Sequence, residues 1–403
     1  MKYIDKLLQG APVEWKTLGE VLVRTRGTKI TARQMKDLHK EGAPIKIFAG
    51  GKTIAYISYN DLPKKDICYE PSIIVKSRGI IGFEYYDKPF SHKNELWAYH
   101  SEDESISIKY VYYYLVRMEN VFQRIGSVMQ MPQISIPDTD NYKIPIPPLA
   151  VQEEVVRVLD TFTTLEAELE AELDCRKRQY QYYRDALLSF VPDSNDGLCH
   201  SPLIPTPFAV EWRPLGEVGE FTRGSGLQKK DFTTEGVGCI HYGQIYTHYG
   251  TFAFETKTFV SEEFAQKARK AQFGDLVIAT TSENDEDLCK AVAWLGKEAV
   301  VVSSDACFYT HKMAPKYVSY FFQTTHFQKQ KRTFITGTKV RRVNAKDLAK
   351  IGIPIPPLAV QERIVEILDK FDTLANSISE GLPREIELRC KQYAYYRDAL
   401  LTF

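Results

Sequence analysis

Apolar residues recur along one stretch at Val151, Val155, Val158, Phe162, Leu165 and Leu169, then at Leu173, Tyr180, Tyr183 and Leu187. Steps of four and three draw a single stripe on a helix, the pattern of a coiled-coil seam. Arg176 breaks the apolar run, and the extra step from Leu169 to Leu173 acts as a stutter. Pro147 and Pro148 fix the backbone just ahead, so the helix is predicted to start sharply. The same stripe returns at Val360, Ile364, Ile367, Phe371, Leu374 and Ile378 and resumes at Tyr393, Tyr396 and Leu400. Gly381 and Pro383 interrupt this copy and predict a kink or break. A lone helix would leave its stripe in water, so the two copies are expected to pack on each other as a rod roughly 60 Å long.

The stripes sit in a duplicated segment. IPIPPLAVQEEVVRVLDTF at residues 144–162 returns as IPIPPLAVQERIVEILDKF at 353–371, and the copies close on YYRDALL at 182–188 and 395–401. Upstream, VEWKTLGEVLVRTRG from Val13 returns as VEWRPLGEVGEFTRG from Val210, so Trp15 matches Trp212, Gly19 matches Gly216 and Gly27 matches Gly224. The chain is therefore a tandem of two units, each a domain followed by a long helix. The opening Tyr3–Leu8 resembles the end of the repeat from Tyr183 to Leu188, which would bring the chain termini close together.

Between these markers the two halves diverge. β-forming runs lie at 45–48, 53–58, 67–75 and 80–86 with a helix at 109–120, and again at 239–245, 276–280, 291–295 and 300–302 with a helix at 316–330. Both domains read as α+β. The expected boundaries are a first domain at 1–145, a long helix at 146–190, a proline-rich linker at 191–207, a second domain at 208–354 and a second long helix at 355–403. A shared frame with divergent filling predicts two versions of one module that read two different things.

Composition narrows the class. The chain has 403 residues, ordinary hydrophobic content and a formal net charge of zero at pH 7. Glu166, Glu168, Glu170, Glu172 and Asp174 form an acidic block in the first helix, which leaves the rest of the chain basic on balance. There is neither an apolar run long enough to span a membrane nor an N-terminal signal core, so the expectation is a cytoplasmic protein without a membrane. Seven cysteines, odd in number and never spaced as CxxC, fit reduced thiols.

Catalytic motifs are missing. The Ala49–Thr53 stretch AGGKT lacks the first glycine of a phosphate loop, and the eight histidines show no metal-ligand spacing. The Pro-Pro pairs are helix starts, unlike the Asn/Asp-Pro-Pro-aromatic loop of amino-methylating DNA enzymes. The chain is expected to make no bonds itself.

Recognition remains. Lysine and arginine suit phosphates, and Arg, Gln, Asn, Ser and Thr can pair with base edges. The first domain offers Arg24, Arg26, Lys29, Lys52, Tyr56, Lys76, Arg78 and Lys93, with Gln130 and Gln133 in a polar loop. The second offers Arg223, Lys229, Lys230, Tyr242, Gln244, Thr280, Thr281, Ser282 and Lys290, followed by a basic cluster of Lys329, Lys331, Arg332, Lys339, Arg341 and Arg342 around the Gly337 turn. Tyr182, Tyr183, Arg184 and Asp185, with their counterparts Tyr395, Tyr396, Arg397 and Asp398, serve either as end-packing of the rod or as a docking face for a partner.

With the doubled IPIPPLxxQExIxxxLDxF and YYRDxLL motifs, the whole chain resembles the specificity subunit of type I restriction-modification enzymes. The duplicated EAEL at 166–169 and 170–173 is similar to the short helix repeat of one subfamily, and the second helix lacks it. The resemblance implies two target-recognition domains separated by two long conserved helices packed as an antiparallel coiled coil, a pseudo-twofold tandem repeat. It further implies a bipartite asymmetric site on double-stranded DNA, one block per domain. Two methyltransferase subunits and, through them, two restriction subunits would be the protein partners. S-adenosylmethionine, ATP and Mg belong to those partners, with no cofactor in this chain. A two-headed coiled-coil adaptor that binds no DNA is the competing reading, in keeping with the neutral total charge.

A helical ruler makes a quantitative expectation. Four residues add ~6 Å of helix against a rise of ~3.4 Å per base pair. Deleting Glu170 to Leu173 is expected to shorten the gap between half-sites by about one or two base pairs with both half-sites unchanged. A map of methylated sites checks this, and an unaltered motif would sink the ruler.

Overall fold

The computed structural model describes every residue except 1–2, 52, 127–130, 193–197, 202 and 378–379. The chain divides into two compact units, residues 1–169 with 386–403, and residues 170–385. The division falls between the two EAEL copies, inside a helix that runs unbroken over Leu149–Leu187, 39 residues or about 58 Å long. The second helical copy is two helices, Leu358–Asn376 and Leu382–Leu400, interrupted where Gly381 and Pro383 stand. At Gly381 a Cβ would lie 2.3 Å from the Thr373 carbonyl oxygen, so the turn closes too tightly for a side chain.

In the first unit, strand Glu14–Thr17 pairs antiparallel with Lys143–Ile146, the strand that leads into the long helix. In the second, Glu211–Pro214 pairs in the same register with Gly352–Ile355, Trp212 facing Pro354 as Trp15 faces Pro145. The repeat's first motif is thus clasped to its last.

Each domain then builds one frame. An antiparallel sheet has the order Val23–Arg24, Trp97–His100, Ser72–Lys76, Gly82–Tyr86 in the first unit. Its equivalent is Gly219–Arg223, Ala306–His311, Leu276–Ala279, Ala291–Trp294, extended by Phe252–Ala253. A second sheet contains a parallel pair, Ile45–Phe48 with Phe90–His92, matched by Val237–Ile240 with Val300–Val302. Gly27 and Gly224 lie where the chain crosses this sheet, and a Cβ there would be 2.6 Å from the Lys93 oxygen and 2.1 Å from the Ser303 oxygen. Only glycine fits either crossing.

Several local expectations are corrected. The run 239–245 is strand only to Ile240, because His241 caps a helix over Tyr242–Thr247 and the Gln244 Oε1 accepts the His241 N–H at 3.0 Å. The helix expected at 316–330 is two, Pro315–Gln323 and Thr325–Arg332, with Thr324 capping the second. The run 67–75 contributes only the strand Ser72–Lys76. The segment expected as a linker at 191–207 carries the short strands Val191–Pro192 and Cys199–Ser201 and most of Ile204–Phe208.

The seam reading also shifts. Leu165 and Leu374 are exposed, whereas Leu159 and Leu368, off the predicted stripe, are fully buried. Near its domain each helix is covered from two sides, so the buried face is wider than a two-helix stripe. Val151, Val155 and Leu159 join the first domain's core, and Ile364 and Leu368 join the second's. The returning helical segment packs alongside: Phe162 stacks on Tyr396 at 5.1 Å in the first unit, and Tyr183 on Phe371 at 5.0 Å in the second. In the first unit Cys390 Sγ lies 2.8 Å from Glu166 Oε1, so the two segments run antiparallel there. Ile4 shares that core with Leu400 and Leu401.

Polar bonds fix the joint between domain and helix. Buried Gln152 accepts the Ser107 N–H at 2.9 Å and donates to the Pro147 oxygen at 2.8 Å. Gln361 accepts from Ala314 N–H at 2.9 Å and donates to Pro356 at 2.8 Å. Two turns further, Asp160 receives Lys109 at 2.7 Å and the Tyr113 hydroxyl at 2.5 Å, while Asp369 receives Lys316 and the Tyr320 hydroxyl, both at 2.7 Å. Burial, and then neighbouring carboxylates, push the pKa of both phenols up, so each is a donor at neutral pH.

Replacing either glutamine strands a half-buried N–H and a buried carbonyl. Gln152→Ala and Gln361→Ala are each expected to lower unfolding free energy by about 2–4 kcal/mol. The neighbouring exposed Glu153→Ala should change it by less than about 0.5 kcal/mol. Urea denaturation of the three variants measures the difference, and equal midpoints would refute the joint.

Candidate nucleic-acid interface

In both domains the third strand of the antiparallel sheet runs past its sheet into a second, smaller ladder. Ser77 turns it by donating its hydroxyl to the Glu95 oxygen at 2.9 Å, and Thr280 does the same to Asp305 at 2.9 Å. The strand then meets a segment arriving from the domain's helices: Arg78 bridges to Gln133 in the first unit, and Thr281 and Ser282 pair with Arg342 and Arg341 in the second. Ile134 N–H donates to the Ser77 oxygen at 3.0 Å, and Val343 N–H to the Thr280 oxygen at 3.2 Å. Gln133 and Arg342 therefore occupy one position of one frame.

Two arginines that are identical in sequence flank this ladder's frame. Arg26 and Arg223 directly precede the crossing glycines Gly27 and Gly224, and both are exposed. Arg223 is steadied by donating Nε to the Ser304 oxygen at 3.0 Å, while Arg269 Nη1 donates to the Arg223 oxygen at 2.7 Å. Arg223, Thr281, Asp305, Arg342 and Asn344 line a cavity of about 380 Å³. Arg269 went unnoticed in the sequence, since nothing there sets it apart from any solvated arginine.

The remaining candidates divide by what they touch. Arg24 is ion-paired to Asp140, Lys93 reaches Glu95 at 3.0 Å and Lys76 reaches Glu84 at 2.7 Å. Lys29 is exposed on a loop and Lys229 at the start of the 3-10 turn Lys229–Asp231, and Tyr56 sits on the strand Ile54–Ile57 with its N–H on His39 Nδ1 at 3.0 Å. Tyr242 begins the Tyr242–Thr247 helix, its N–H donated to Ser303 Oγ at 2.9 Å. Gln244 is occupied by its own helix cap and by Thr258 at 2.9 Å. Lys290 is half-buried, and burial lowers its pKa. Lys52 and Gln130 lie outside the described residues.

The basic cluster at 329–342 is reordered by folding. Arg332 and Lys339 are exposed, as sequence reading expects, and Arg341 is tied to Asp285 at 2.9 Å and to the Gly337 oxygen at 2.6 Å. Lys331 is a correction. Its side chain is fully buried and its ammonium donates to the oxygens of Asp285 at 2.7 Å and Leu288 at 2.8 Å. It pins the loop that follows Ser282 and has no surface to offer a phosphate. Thr281 and Ser282 are also corrected: both side chains are buried, and the Thr281 oxygen accepts the Tyr246 hydroxyl at 2.7 Å.

The YYRD motifs behave alike in the two units. Tyr183 and Tyr396 stack as described above, and Arg184 and Arg397 lie over Tyr180 and Tyr393. Asp185 caps Thr325, accepting its N–H at 3.1 Å, while Asp398 lies 3.4 Å from Arg117. Tyr182 and Tyr395 are left in solvent, 67% and 70% exposed. Trp15 and Trp212 are likewise exposed in both copies.

Among the described residues no group of three His, Cys, Asp or Glu is placed to hold a metal, and no helix is long and apolar enough to cross a membrane.

The Lys331 assignment has a measurable consequence. Lys331→Met strands the loop carbonyls and is expected to cost about 2–4 kcal/mol of stability, against less than about 0.5 for the neighbouring exposed Arg332→Met. Chemical denaturation decides, and equal stabilities would return Lys331 to the surface.

The geometry can be set beside known proteins. A family model described as the type I restriction modification DNA specificity domain matches residues 12–174 and again 209–388. The chain is 33% identical over 417 residues to the Type I restriction enzyme EcoR124I/EcoR124II specificity subunit of Escherichia coli, covering 100% of this chain and 97% of that one. A crystal structure of the type I restriction-modification system S subunit from M. genitalium has the same fold, with a TM-score of 0.56 at 15% identity and 100% coverage of both chains. Two matches to one family model, falling on the two copies of one frame, place this chain in the family of type I restriction-modification specificity subunits.

Proposed function

We propose that the chain is the addressing component of a type I restriction-modification enzyme, binding a bipartite asymmetric site on double-stranded DNA with one domain per block. One observation carries this reading: the two domains share a frame down to individual hydrogen bonds, yet differ at the exposed ladder position, Gln133 in one and Arg342 in the other. A module kept in form and varied at its exposed ladder is suited to reading two sequences with one docking geometry.

The residues assigned to DNA are Arg26, Lys29, Arg78 and Gln133 in the first domain, and Arg223, Lys229, Arg332, Lys339 and Arg342 in the second. Tyr182 and Tyr395, with Trp15 and Trp212, are aromatic, exposed and identical in both repeats, which fits a partner that binds twice. That partner is the methyltransferase subunit, present in two copies, through which two restriction subunits join. The chain performs no chemistry. S-adenosylmethionine, ATP and Mg act in the partner subunits, in the cytoplasm.

The test is a genome-wide map of methylated adenine from cells that co-produce this chain with its methyltransferase subunit. A single split motif with a fixed gap is expected. A stable complex that methylates nothing would overturn the reading in favour of an adaptor that binds no DNA.

A further inference from the structure

Equivalent positions in two copies of a module separate two kinds of contact. A residue that is identical in both copies and buried serves the fold; one that is identical and exposed meets something the two sites have in common. A residue that is exposed, equivalently placed and different meets something in which the sites differ. For two blocks of a DNA site, the common element is the phosphate backbone and the differing element is the base sequence.

The ladder supplies the third kind. Gln133 and Arg342 are both exposed, both follow from the same backbone pairing, and neither side chain has a hydrogen bond or ion pair among the described residues. Opposite Gln133 stands the exposed Arg78, while in the second domain the neighbours of Arg342 are engaged. Arg341 is held by Asp285 and Gly337, and Thr281, opposite Arg342, is buried. The Arg342 backbone is locked on both sides, its N–H donating to Thr336 at 2.9 Å and the Thr336 N–H returning to it at 2.9 Å. Gln133 is fixed by its N–H on the Gly126 oxygen at 3.0 Å. Free side chains with long polar ends thus stand on rigid backbone, the arrangement a base-reading contact needs.

We infer that this ladder position is the base-reading position of each domain, and the assignment rests on the DNA-addressing function proposed above. The ladder is short, one bridge in the first domain and two residue pairs in the second, and the major groove of DNA admits paired backbone segments of this kind. There a glutamine amide pairs with adenine through N6 and N7, and an arginine pairs with guanine through O6 and N7. Gln133 accordingly specifies an adenine in one half-site, and Arg342 a guanine in the other. Arg26 and Arg223, identical and exposed, take the phosphates.

The experiment is a reciprocal swap in the complex with the methyltransferase subunit. Q133R is expected to change one A·T pair of one half-site to G·C, leaving the gap and the other half-site as they were. R342Q is expected to make the opposite change in the other half-site. If a swap abolishes methylation, purified complexes carrying Q133A or R342A are titrated onto duplexes substituted at each base pair in turn. Loss of about 10- to 100-fold discrimination at a single pair is the expected result. Arg26→Ala, by contrast, should weaken binding to every duplex alike and lower the salt slope by about 0.9. Swapped complexes that keep the wild-type motif, or alanine variants that discriminate as the wild type does at every pair, overturn the assignment. A wild type without a split motif removes the addressing function as well, whereas a split motif indifferent to both positions removes only this inference.

Discussion

The structure depends on how each domain is joined to its helix. An α-helix beginning at a Pro-Pro pair exposes unpaired backbone groups at the point where it leaves the domain. A buried glutamine one turn in ties that point to the domain, Gln152 accepting the Ser107 N–H and donating to the Pro147 oxygen, and Gln361 accepting the Ala314 N–H and donating to the Pro356 oxygen. Because a buried amide left unpaired is costly, this contact holds the helix at one angle. Asp160 and Asp369 repeat the restraint two turns on by gathering a lysine and a tyrosine from the domain's own helix. Tyr110 and Tyr317 add hydroxyl bonds to Pro145 and Pro354 at 2.9 and 2.8 Å. The glutamine, aspartate, lysine and tyrosines of this joint are the same in both copies.

Such a joint explains why the domains can diverge elsewhere. Once the edge strand, crossing glycine and helix start are fixed, the sheets need only keep their pairing, which backbone hydrogen bonds provide for many sequences. Tyr99 and Tyr309 sit at equivalent positions on strands whose other residues differ. Small insertions in the second domain, such as the added strand Phe252–Ala253, lie at the sheet's far end and leave the ladder undisturbed. Rigidity at the joint and freedom at the ladder are two consequences of one division between buried and exposed positions.

Not all charge in a candidate site is available to a ligand. The basic cluster at 329–342 holds residues of the same type in three roles: Lys331 buried as a loop clamp, Arg341 spent on Asp285, and Arg342 free in solvent. Lys93 is partnered by Glu95 two residues on, and Arg24 by Asp140, a carboxylate that only folding brings near. The electrostatic footprint that remains is smaller than the sequence suggests, and Arg223 and Arg342 share the lining of one cavity within it.

The sequence by itself determined the tandem organisation, the two long helices with a break in the second, and the motifs at each joint. These are written in local periodicity, proline and glycine placement, and literal repetition, all of which act over a few residues. It also marked Arg26, Arg223, Gln133 and Arg342 as polar residues suited to DNA. Only the tertiary structure decided that Gln133 and Arg342 are equivalent, because their match runs through strand pairing between segments more than fifty residues apart, with no shared sequence. The same long-range pairing buried Lys331, Thr281 and Ser282, and split the helix at Thr324 by setting Asp185 on its new N-terminus. Whether a lysine faces water or three carbonyls depends on which loop the fold lays across it, and that is not encoded within the reach of any local pattern.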